Sequence, residues 1–201
     1  MKKSTIIILV SVAAFLFLFI LLPIGYGIGT YNKLVTEREN VNSQWANVES
    51  QYQRRADLIP NLVQTVKGYA THESSTLEGV MAARAKATQI TIDPKNMTPE
   101  KLQQYQAAQG QVGAALGRLM VVSENYPNLK ANENFLELQA QLEGTENRIA
   151  VERNKYNDAA KKYEVIIQHF PGVIIASMFG FKEKPYFEAE KAAAKAPAVK
   201  F

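Results

Sequence analysis

The sequence predicts an all-α protein in which an N-terminal transmembrane helix precedes a long antiparallel up-down helical bundle. Three observations support this prediction. An uncharged apolar run lies near the N-terminus, apolar residues recur at helical spacing over most of the remaining chain, and no segment shows the alternation typical of β-strands. Three or four long helices joined by short loops bury their apolar stripes best in such a bundle.

The apolar run extends from Ile6 to Leu22 and stays uncharged to Gly29. A bilayer span requires roughly 20 apolar residues, so the run predicts an uncleaved transmembrane anchor. A cleaved signal peptide is the alternative, because Lys2 and Lys3 precede the run. The run is longer than the about 7–15 apolar residues of a signal sequence, which favours the anchor.

The charges around the run predict how the chain crosses the membrane. Lys2, Lys3 and the α-amino group precede the run, whereas Lys33 and Arg38 follow it. The positive-inside rule then favours a cytoplasmic N-terminus and a domain on the outer side. The margin is a single charge.

Composition excludes several classes of function. The chain has no cysteine, so disulfides, thiolate catalysis and thiolate metal sites are excluded. Residues 31–187 carry 18 Lys/Arg against 17 Asp/Glu, so the excess positive charge lies at the two ends. A nearly neutral domain lacks the basic face that phosphate backbones require, and we expect no nucleic-acid partner.

The first helix after the anchor has a heptad seam in which Arg38 and Arg55 take positions otherwise filled by Leu34, Val41, Trp45, Val48, Tyr52 and Ile59. The same spacing resumes after Pro60 and continues to Met81. Because proline lacks an N–H and its ring crowds the carbonyl four residues earlier, Pro60 frees the carbonyl of Ala56. The sequence leaves open whether the helix bends at Pro60 or ends there.

Clear start and stop residues bound the later helices. Residues 91–99 form a loop, and Thr98 followed by Pro99 predicts the start of the next helix, which "NYPNL" at 125–129 ends. A last long helix runs from about Asn132 to Phe170. The apolar segment 173–181 is predicted to form a lid over one bundle end, with membrane or subunit contact as alternatives. The predicted domains are 1–29, the anchor with its Gly-rich joint; 30–187, the bundle; and 188–201, a weakly ordered Ala/Lys-rich tail.

No arrangement of side chains predicts catalysis. "HESST" at 72–76 lacks the second histidine of a zinc-protease motif, and His169 is remote in sequence. Phosphate loops, nucleophile elbows and the Glu-x-x-His pairs of diiron bundles are absent from the sequence. We therefore expect no enzyme activity, no metal and no cofactor.

Arg54 and Arg55 straddle the seam, so at least one guanidinium should be partly buried and should need carboxylates or carbonyls. Glu73, Glu124, Glu146 and Glu152 are the candidate partners. An internal polar network that fixes helix register is the favoured interpretation, and ligand binding or subunit contact is the alternative. The candidate structural or interaction residues are Arg54, Arg55, Asp57, Pro60, Asn61, Glu73, Tyr126, Glu146, Arg153 and Tyr156.

Several blocks of the sequence resemble the LemA family. They are "YNKLVTERENVNSQWANVESQYQRRADLIPNLVQTVKGYATHE" from Tyr31, "VMAARAKA" from Val80, "SENYPNLKANENFLELQAQLEGTENRIAVERNKYND" from Ser123, and "FGFKEKPYFE" from Phe179. The resemblance covers about residues 5–190. It implies a single-pass bacterial membrane protein with a long antiparallel bundle and without an established activity or cofactor. Some magnetosome-membrane proteins share this domain, which by analogy suggests membrane organisation.

Two functional hypotheses follow. The first is a scaffold in the bacterial cytoplasmic (inner) membrane that self-associates as a homo-oligomer and organises or remodels the bilayer. The second is a sensor or adaptor whose bundle binds a peptide or small ligand near Arg54, Arg55 and Glu146 and signals to an unidentified membrane protein. Arginine donors left unpaired in a pocket would favour the second hypothesis.

Overall fold

The computed structural model describes residues 3–188, and all but the first residue of the predicted tail 188–201 lies outside the described residues. The elements are α1 (Lys3–Lys67), which contains a π-helical turn at Phe17–Leu21, α2 (Ser74–Gln89), α3 (Pro99–Ser123), α4 (Pro127–Lys130), α5 (Glu133–Gln168) and α6 (Gly172–Phe179). A 3-10 turn, Pro94–Asn96, lies between α2 and α3. No β-strand occurs between residues 3 and 188, so the prediction of an all-α fold is confirmed.

The described chain divides into two compact units. The first comprises residues 3–41 and 159–183, and the second comprises residues 42–158 and 184–188. Helices α1 and α5 each contribute to both units. The units differ in surface chemistry, because the first carries the long exposed apolar end of α1.

In the first unit, α1 is exposed from Lys3 to Tyr26 and is long and apolar enough to cross a membrane. Beyond this exposed part, the unit has a small core formed by Leu34, Val41, Ala159, Ala160, Tyr163, Ile167 and Ala176. The Tyr31 ring lies 4.8 Å from the Phe179 ring and 5.6 Å from the Phe181 ring. Segment 173–181, predicted to be a lid, thus contains most of α6 and packs on α1.

Two glycines shape the α6 segment. Gly180 has φ 70° and ends the helix, and its backbone N–H bonds the Ala176 carbonyl in the usual left-handed cap. Gly172 begins the helix where a Cβ atom would lie 2.1 Å from the Ile166 carbonyl oxygen. Only a residue without a side chain fits this approach between the end of α5 and the start of α6.

In the second unit, four helical segments form an up-down bundle. The Trp45 ring of α1 lies 5.4 Å from Tyr105 of α3 and 5.9 Å from Tyr156 of α5. Further along α1, Arg55 bonds Gln109 and Glu146. From Trp45 to Arg55 along α1, the partner on α3 changes from Tyr105 to Gln109, so α3 runs parallel to α1. Over the same stretch the partner on α5 changes from Tyr156 to Glu146, so α5 runs antiparallel. Arg84 of α2 bonds the Ala56 carbonyl, and α2 supplies the remaining antiparallel helix.

Pro60 lies inside α1, which continues to Lys67 without ending. The first corner of the bundle is instead the segment 68–73, and the loop around residues 91–98 is the second. The predicted heptad spacing from Leu62 to Met81 is therefore interrupted, because one helix ends at Lys67 and the next begins at Ser74. Tyr69 and Met81, which continued that spacing, are 44% and 36% exposed.

The close approach at Gly172 predicts opposite effects of alanine at two glycines. Gly172→Ala should lower the free energy of unfolding by about 1–3 kcal/mol, because overpacking against backbone cannot be relieved by rotating a side chain. Gly79→Ala in α2 has no heavy atom within 4 Å of the new methyl group. It should stabilise the helix by up to about 1 kcal/mol. Thermal melting of the full-length protein, followed by circular dichroism, measures both, and a Gly172→Ala variant as stable as wild type would contradict the packing.

Candidate functional site

The guanidinium of Arg55 is buried in the interior of the second unit. Its residue is 3% exposed because it occupies a seam position of α1. Nη1 donates to Glu146 Oε2 at 2.7 Å, and Nη2 donates to the Gln109 side-chain oxygen at 2.7 Å and to the Gln109 carbonyl at 3.0 Å. The guanidinium also lies over the Tyr52 ring, 5.2 Å from its centroid. Arg55 therefore links α1, α3 and α5 at one level.

The ion pair is only half enclosed. The Glu146 side chain is 60% exposed, whereas that of Arg55 is 4% exposed. The carboxylate thus keeps much of its hydration, and the cation obtains its other partners from Gln109. Removing Arg55 would leave the Gln109 amide oxygen without this buried donor, so the network depends on the arginine more than on the glutamate.

A second arginine satisfies the carbonyl that Pro60 frees. Arg84 Nε of α2 donates to the Ala56 oxygen at 2.7 Å. This bond replaces the missing backbone bond at the proline and joins α1 to α2. The proline can therefore remain inside a continuous helix.

An open groove of about 840 Å³ lies between α3 and α5. Its lining includes the central pair Arg55 and Glu146, and also Arg153 and Glu188. The α3 side consists largely of small residues, namely Ala107, Gly110, Gly113, Ala114 and Gly117. Leu116, Met120 and Leu142 add apolar surface, so the groove lining combines apolar side chains with charged and amide ones.

The three groove glycines are not required by the packing of the chain itself. A Cβ atom at Gly110, Gly113 or Gly117 would have no heavy atom of the described residues within 4 Å. All three are exposed and have ordinary helical backbone geometry. Their small size leaves the backbone of α3 accessible along one face.

Tyrosine side chains form hydrogen bonds at the end of the bundle where α1 turns into α2. Tyr126 donates to Glu73 Oε1 at 3.1 Å, and the Asn132 amide donates to the Tyr69 hydroxyl at 3.0 Å. Desolvation and the bond to the Glu73 carboxylate raise the pKa of Tyr126. Glu73 itself occupies the N-cap position of α2. These bonds connect the corner at residues 68–73 to the α3–α5 connection.

The segment 184–188, here called the strap, returns across the bundle. Asn157 bonds both backbone groups of Phe187, through its oxygen at 2.9 Å and its amide at 3.0 Å. The Phe187 ring is buried and stacks on Trp45 at 5.9 Å. Tyr156 donates to the Pro185 carbonyl at 3.0 Å, and Arg153 donates to the Glu188 carbonyl at 3.0 Å. Lys184 donates to the Pro94 carbonyl.

The predicted candidate residues lie in separate places. Arg55 and Glu146 form the central pair, Glu73 and Tyr126 meet at the corner, and Arg153 and Tyr156 hold the strap. The remaining four do not join a common site. Arg54 is exposed, Asp57 is exposed and accepts a bond from Gln53 at 2.8 Å, Asn61 is an exposed helix residue, and Pro60 acts through Ala56.

Of the four carboxylates considered as partners for the buried arginine, only Glu146 has that role. Glu73 accepts from Tyr126, Glu124 pairs with Lys130, and Glu152 pairs with Lys155 at 2.8 Å. Sequence reasoning missed Gln109, Arg84, Asn157 and Phe187. Only the freed carbonyl of Ala56 gave a signal that a donor such as Arg84 was required.

Neither a metal-binding cluster nor a pairing of the two histidines is seen among the described residues. Among residues 3–188, no three His, Asp or Glu side chains converge as a metal site would require. His72 is exposed, and His169 Nδ1 lies 2.7 Å from the Val165 carbonyl of its own helix. The groove presents apolar and small residues together with charged side chains, which suits binding a helix or peptide.

Comparisons with known proteins identify relatives of this chain. Residues 44–201 match the LemA family. The chain belongs to the LemA family. Among relatives of this LemA-family protein, magnetosome protein MamQ 2 of Paramagnetospirillum magneticum is 32% identical over 186 residues, covering 84% of this chain and 68% of the relative. Magnetosome protein MamQ of Magnetospirillum gryphiswaldense is 30% identical with the same coverage. Protein LemA of Metamycoplasma hominis is 23% identical, covering 82% of this chain and 71% of the relative.

The Arg55 network predicts unequal effects of three substitutions in this LemA-family protein. Arg55→Ala should lower the free energy of unfolding by about 2–4 kcal/mol, because it removes the link between three helices and leaves buried polar atoms without a hydrogen-bond partner. Glu146→Ala should cost about 1 kcal/mol, because the carboxylate is largely solvated. Arg54→Ala is the matched control and should change stability by less than about 0.5 kcal/mol. Urea unfolding of the full-length protein distinguishes the three, and equal midpoints for Arg55→Ala and Arg54→Ala would contradict the network.

The buried tyrosines predict a loss of stability at alkaline pH. Burial raises the pKa of Tyr105 and Tyr156 well above the ordinary value of 10.0. Above that value the unfolded tyrosines lose protons that the folded protein retains, so stability is full below pH of about 10 and falls as pH rises further. Tyr105→Phe should flatten this decline relative to wild type, because phenylalanine has no hydroxyl to ionise. Melting temperatures between pH 9 and pH 11 provide the measurement, and parallel curves for Tyr105→Phe and wild type would contradict the assignment.

Proposed function

We propose that this LemA-family protein is a non-catalytic, single-pass membrane scaffold that self-associates and organises or remodels the bilayer of the bacterial envelope. The observation that carries the proposal is the glycine-lined face of α3 along the open groove.

The glycines lower the helix stability of α3, and no contact within the chain requires them. Each glycine in a helix interior destabilises it by about 1 kcal/mol relative to alanine. Gly110, Gly113 and Gly117 have open space at the Cβ position, so alanine would fit at each of them. A partner backbone that approaches closely supplies a reason for glycine that the monomer does not.

The spacing suits a helix as that partner. Gly110 and Ala114 are four residues apart, as are Gly113 and Gly117, so both pairs lie on one face of α3. Small residues at this spacing allow two helices to approach until their backbones touch, which brings Cα–H groups near carbonyl oxygens. Gln103 and Gln106 also line the groove and offer hydrogen bonds to such a partner.

A second copy of the chain is the partner we favour. A two-fold contact uses the same surface on both molecules, and α3 of one copy against α3 of the other satisfies this requirement. Anchoring through α1 would confine copies to one membrane and raise their effective concentration. The nearly balanced charge of residues 31–187 would produce little repulsion between copies.

The proposed location is the bacterial cytoplasmic membrane, with α1 as the anchor. Lys2 and Lys3 before the span, against Lys33 and Arg38 after it, favour a domain on the outer side. By analogy with the relatives named magnetosome proteins, we extend the proposal from self-association to organisation of a membrane.

A sensor or adaptor is the second candidate, and the groove volume favours it. About 840 Å³ lies within the usual range for ligand sites, so a peptide or small ligand would fit. The arginines weaken this candidate. Arg55 already donates to Gln109 and Glu146, and Arg54 does not line the groove.

The test measures the mass of full-length protein in lipid nanodiscs by native mass spectrometry. Wild type should form a defined oligomer, and the double variant Gly113→Leu with Gly117→Leu should shift it to monomer, because leucine side chains keep the helices apart. Gly79→Leu is the matched control, since that glycine also has open space but lies outside the groove. Circular dichroism should show that all variants remain helical.

Two results would contradict self-association through this face. One is a strictly monomeric wild-type protein in membranes, which would favour the adaptor and direct attention to its membrane partner. The other is an oligomer whose mass the double variant leaves unchanged, because the contact would then lie elsewhere on the molecule.

A further inference from the structure

The second apolar helix of the first unit, α6, has an exposed face that the fold itself leaves uncovered. Ile174 is 48% exposed and Met178 71%, and these two residues lie four apart on one side of the helix. Phe170, which precedes the helix, is 81% exposed. Val173 and Phe179 widen this surface. Together the five residues are here called the α6 face. Contact of these five large apolar side chains with water is unfavourable, because removing apolar surface from water is favourable.

The position of α6 on α1 indicates what covers this face. A Cβ atom at Gly27 would lie 3.6 Å from Ile175 Cδ1, and the Tyr31 ring contacts Phe179. Both α1 residues lie after the exposed apolar run and before Lys33, the first charge beyond it. The α6 face is therefore continuous with the apolar surface of the predicted span.

Length places this contact near the edge of a bilayer. The uncharged stretch between Lys3 and Lys33 would extend roughly 45 Å at 1.5 Å per residue, whereas the hydrocarbon core is about 30 Å thick. The excess belongs to the interfacial layer, where Gly27 and Tyr31 would lie if the span begins near Ile6. Tyrosines at this depth, here Tyr26 and Tyr31, are typical of membrane-interface belts.

The chemistry of α6 suits that layer. Residues 170–181 carry no charge, and Ser177 is the one polar side chain between Gly172 and Phe179. As a helix, α6 satisfies its internal backbone bonds, which a segment lying in lipid requires. Gly172 and Ala176 are buried, so the opposite side of α6 is left for lipid. Lys182 follows at the edge, where it can reach phosphate groups.

We propose that α6 is an interfacial membrane helix whose exposed face inserts into the phospholipid bilayer beside the end of the α1 span. The protein would then contact the membrane at two places, a span and an adjoining wedge in one leaflet. The inference rests on the membrane anchoring by α1 proposed above, but it does not depend on self-association through α3.

The test uses the absence of cysteine from the chain, because one introduced cysteine carries one environment-sensitive NBD fluorophore. Three single variants of the full-length protein are labelled, namely Met178→Cys on the α6 face, Ile20→Cys in the span and Val151→Cys on α5. Val151 is the matched control, because it is an apolar residue that is 51% exposed and lies outside the α6 face. The protein is reconstituted in vesicles of phosphatidylcholine and phosphatidylglycerol.

Two quenchers report the surroundings of each label, a doxyl group attached near the lipid headgroup and iodide in the water. The Met178 label should show blue-shifted emission, quenching by the doxyl lipid and several-fold weaker quenching by iodide than the Val151 label. Equal quenching of both labels by iodide would overturn the proposal. Shielding from iodide without quenching by lipid would also overturn it, because protein would then cover the face.

The Ile20 label separates this inference from the anchoring on which it rests. If lipid quenchers placed deep in the bilayer do not quench the Ile20 label, and the Met178 label is not quenched by lipid either, then α1 does not span the membrane and both proposals fail. If Ile20 reports lipid and Met178 reports water, only the proposal for α6 fails.

Discussion

The guanidinium of Arg55 is the charge on which the arrangement of the four-helix unit depends. A cation that loses its partners in a protein interior costs about 3–5 kcal/mol, so the helices must bring acceptors to it. Gln109 and Glu146 supply them from α3 and α5 at 2.7 Å each. Sliding either helix by one turn, about 5.4 Å, would separate donor from acceptor. The network therefore selects one register among several that apolar contacts alone would tolerate.

Backbone satisfaction explains why the strongest helix breaker in the chain does not break its helix. Pro60 frees the Ala56 carbonyl, and Arg84 donates to it from α2. The helix ends instead at Lys67, where the following residues turn without a proline, and Glu73, Tyr69 and Tyr126 hold the corner by side-chain bonds. Proline usually bends or ends a helix, but here a donor on another helix satisfies the carbonyl that the proline frees.

Local sequence patterns predicted much of the fold. They did not predict the contacts that depend on how the helices are aligned with one another. Thr98 and Pro99 predicted the start of α3 to the residue, and α5 runs from Glu133 to Gln168 against a predicted 132 to 170. The seam predicted that an arginine would be buried, because Arg55 stands where an apolar residue is expected. The choice of Glu146 among four carboxylates, the role of Gln109 and the burial of Phe187 depend on which residues meet across helices, and helical periodicity does not specify that.

The composition of α3 shows why a polar contact is useful beside its glycine face. Ala107, Ala108, Gly110, Gly113, Ala114, Ala115 and Gly117 distribute small residues around much of the helix. Such a helix distinguishes its sides poorly by volume, since turning it by one residue, about 100°, would exchange one small side chain for another. Gln109 breaks this near-equivalence, because only one rotation brings both of its oxygen atoms to Arg55. The buried arginine thus keeps Gly110, Gly113 and Gly117 on the open side, where the groove presents them.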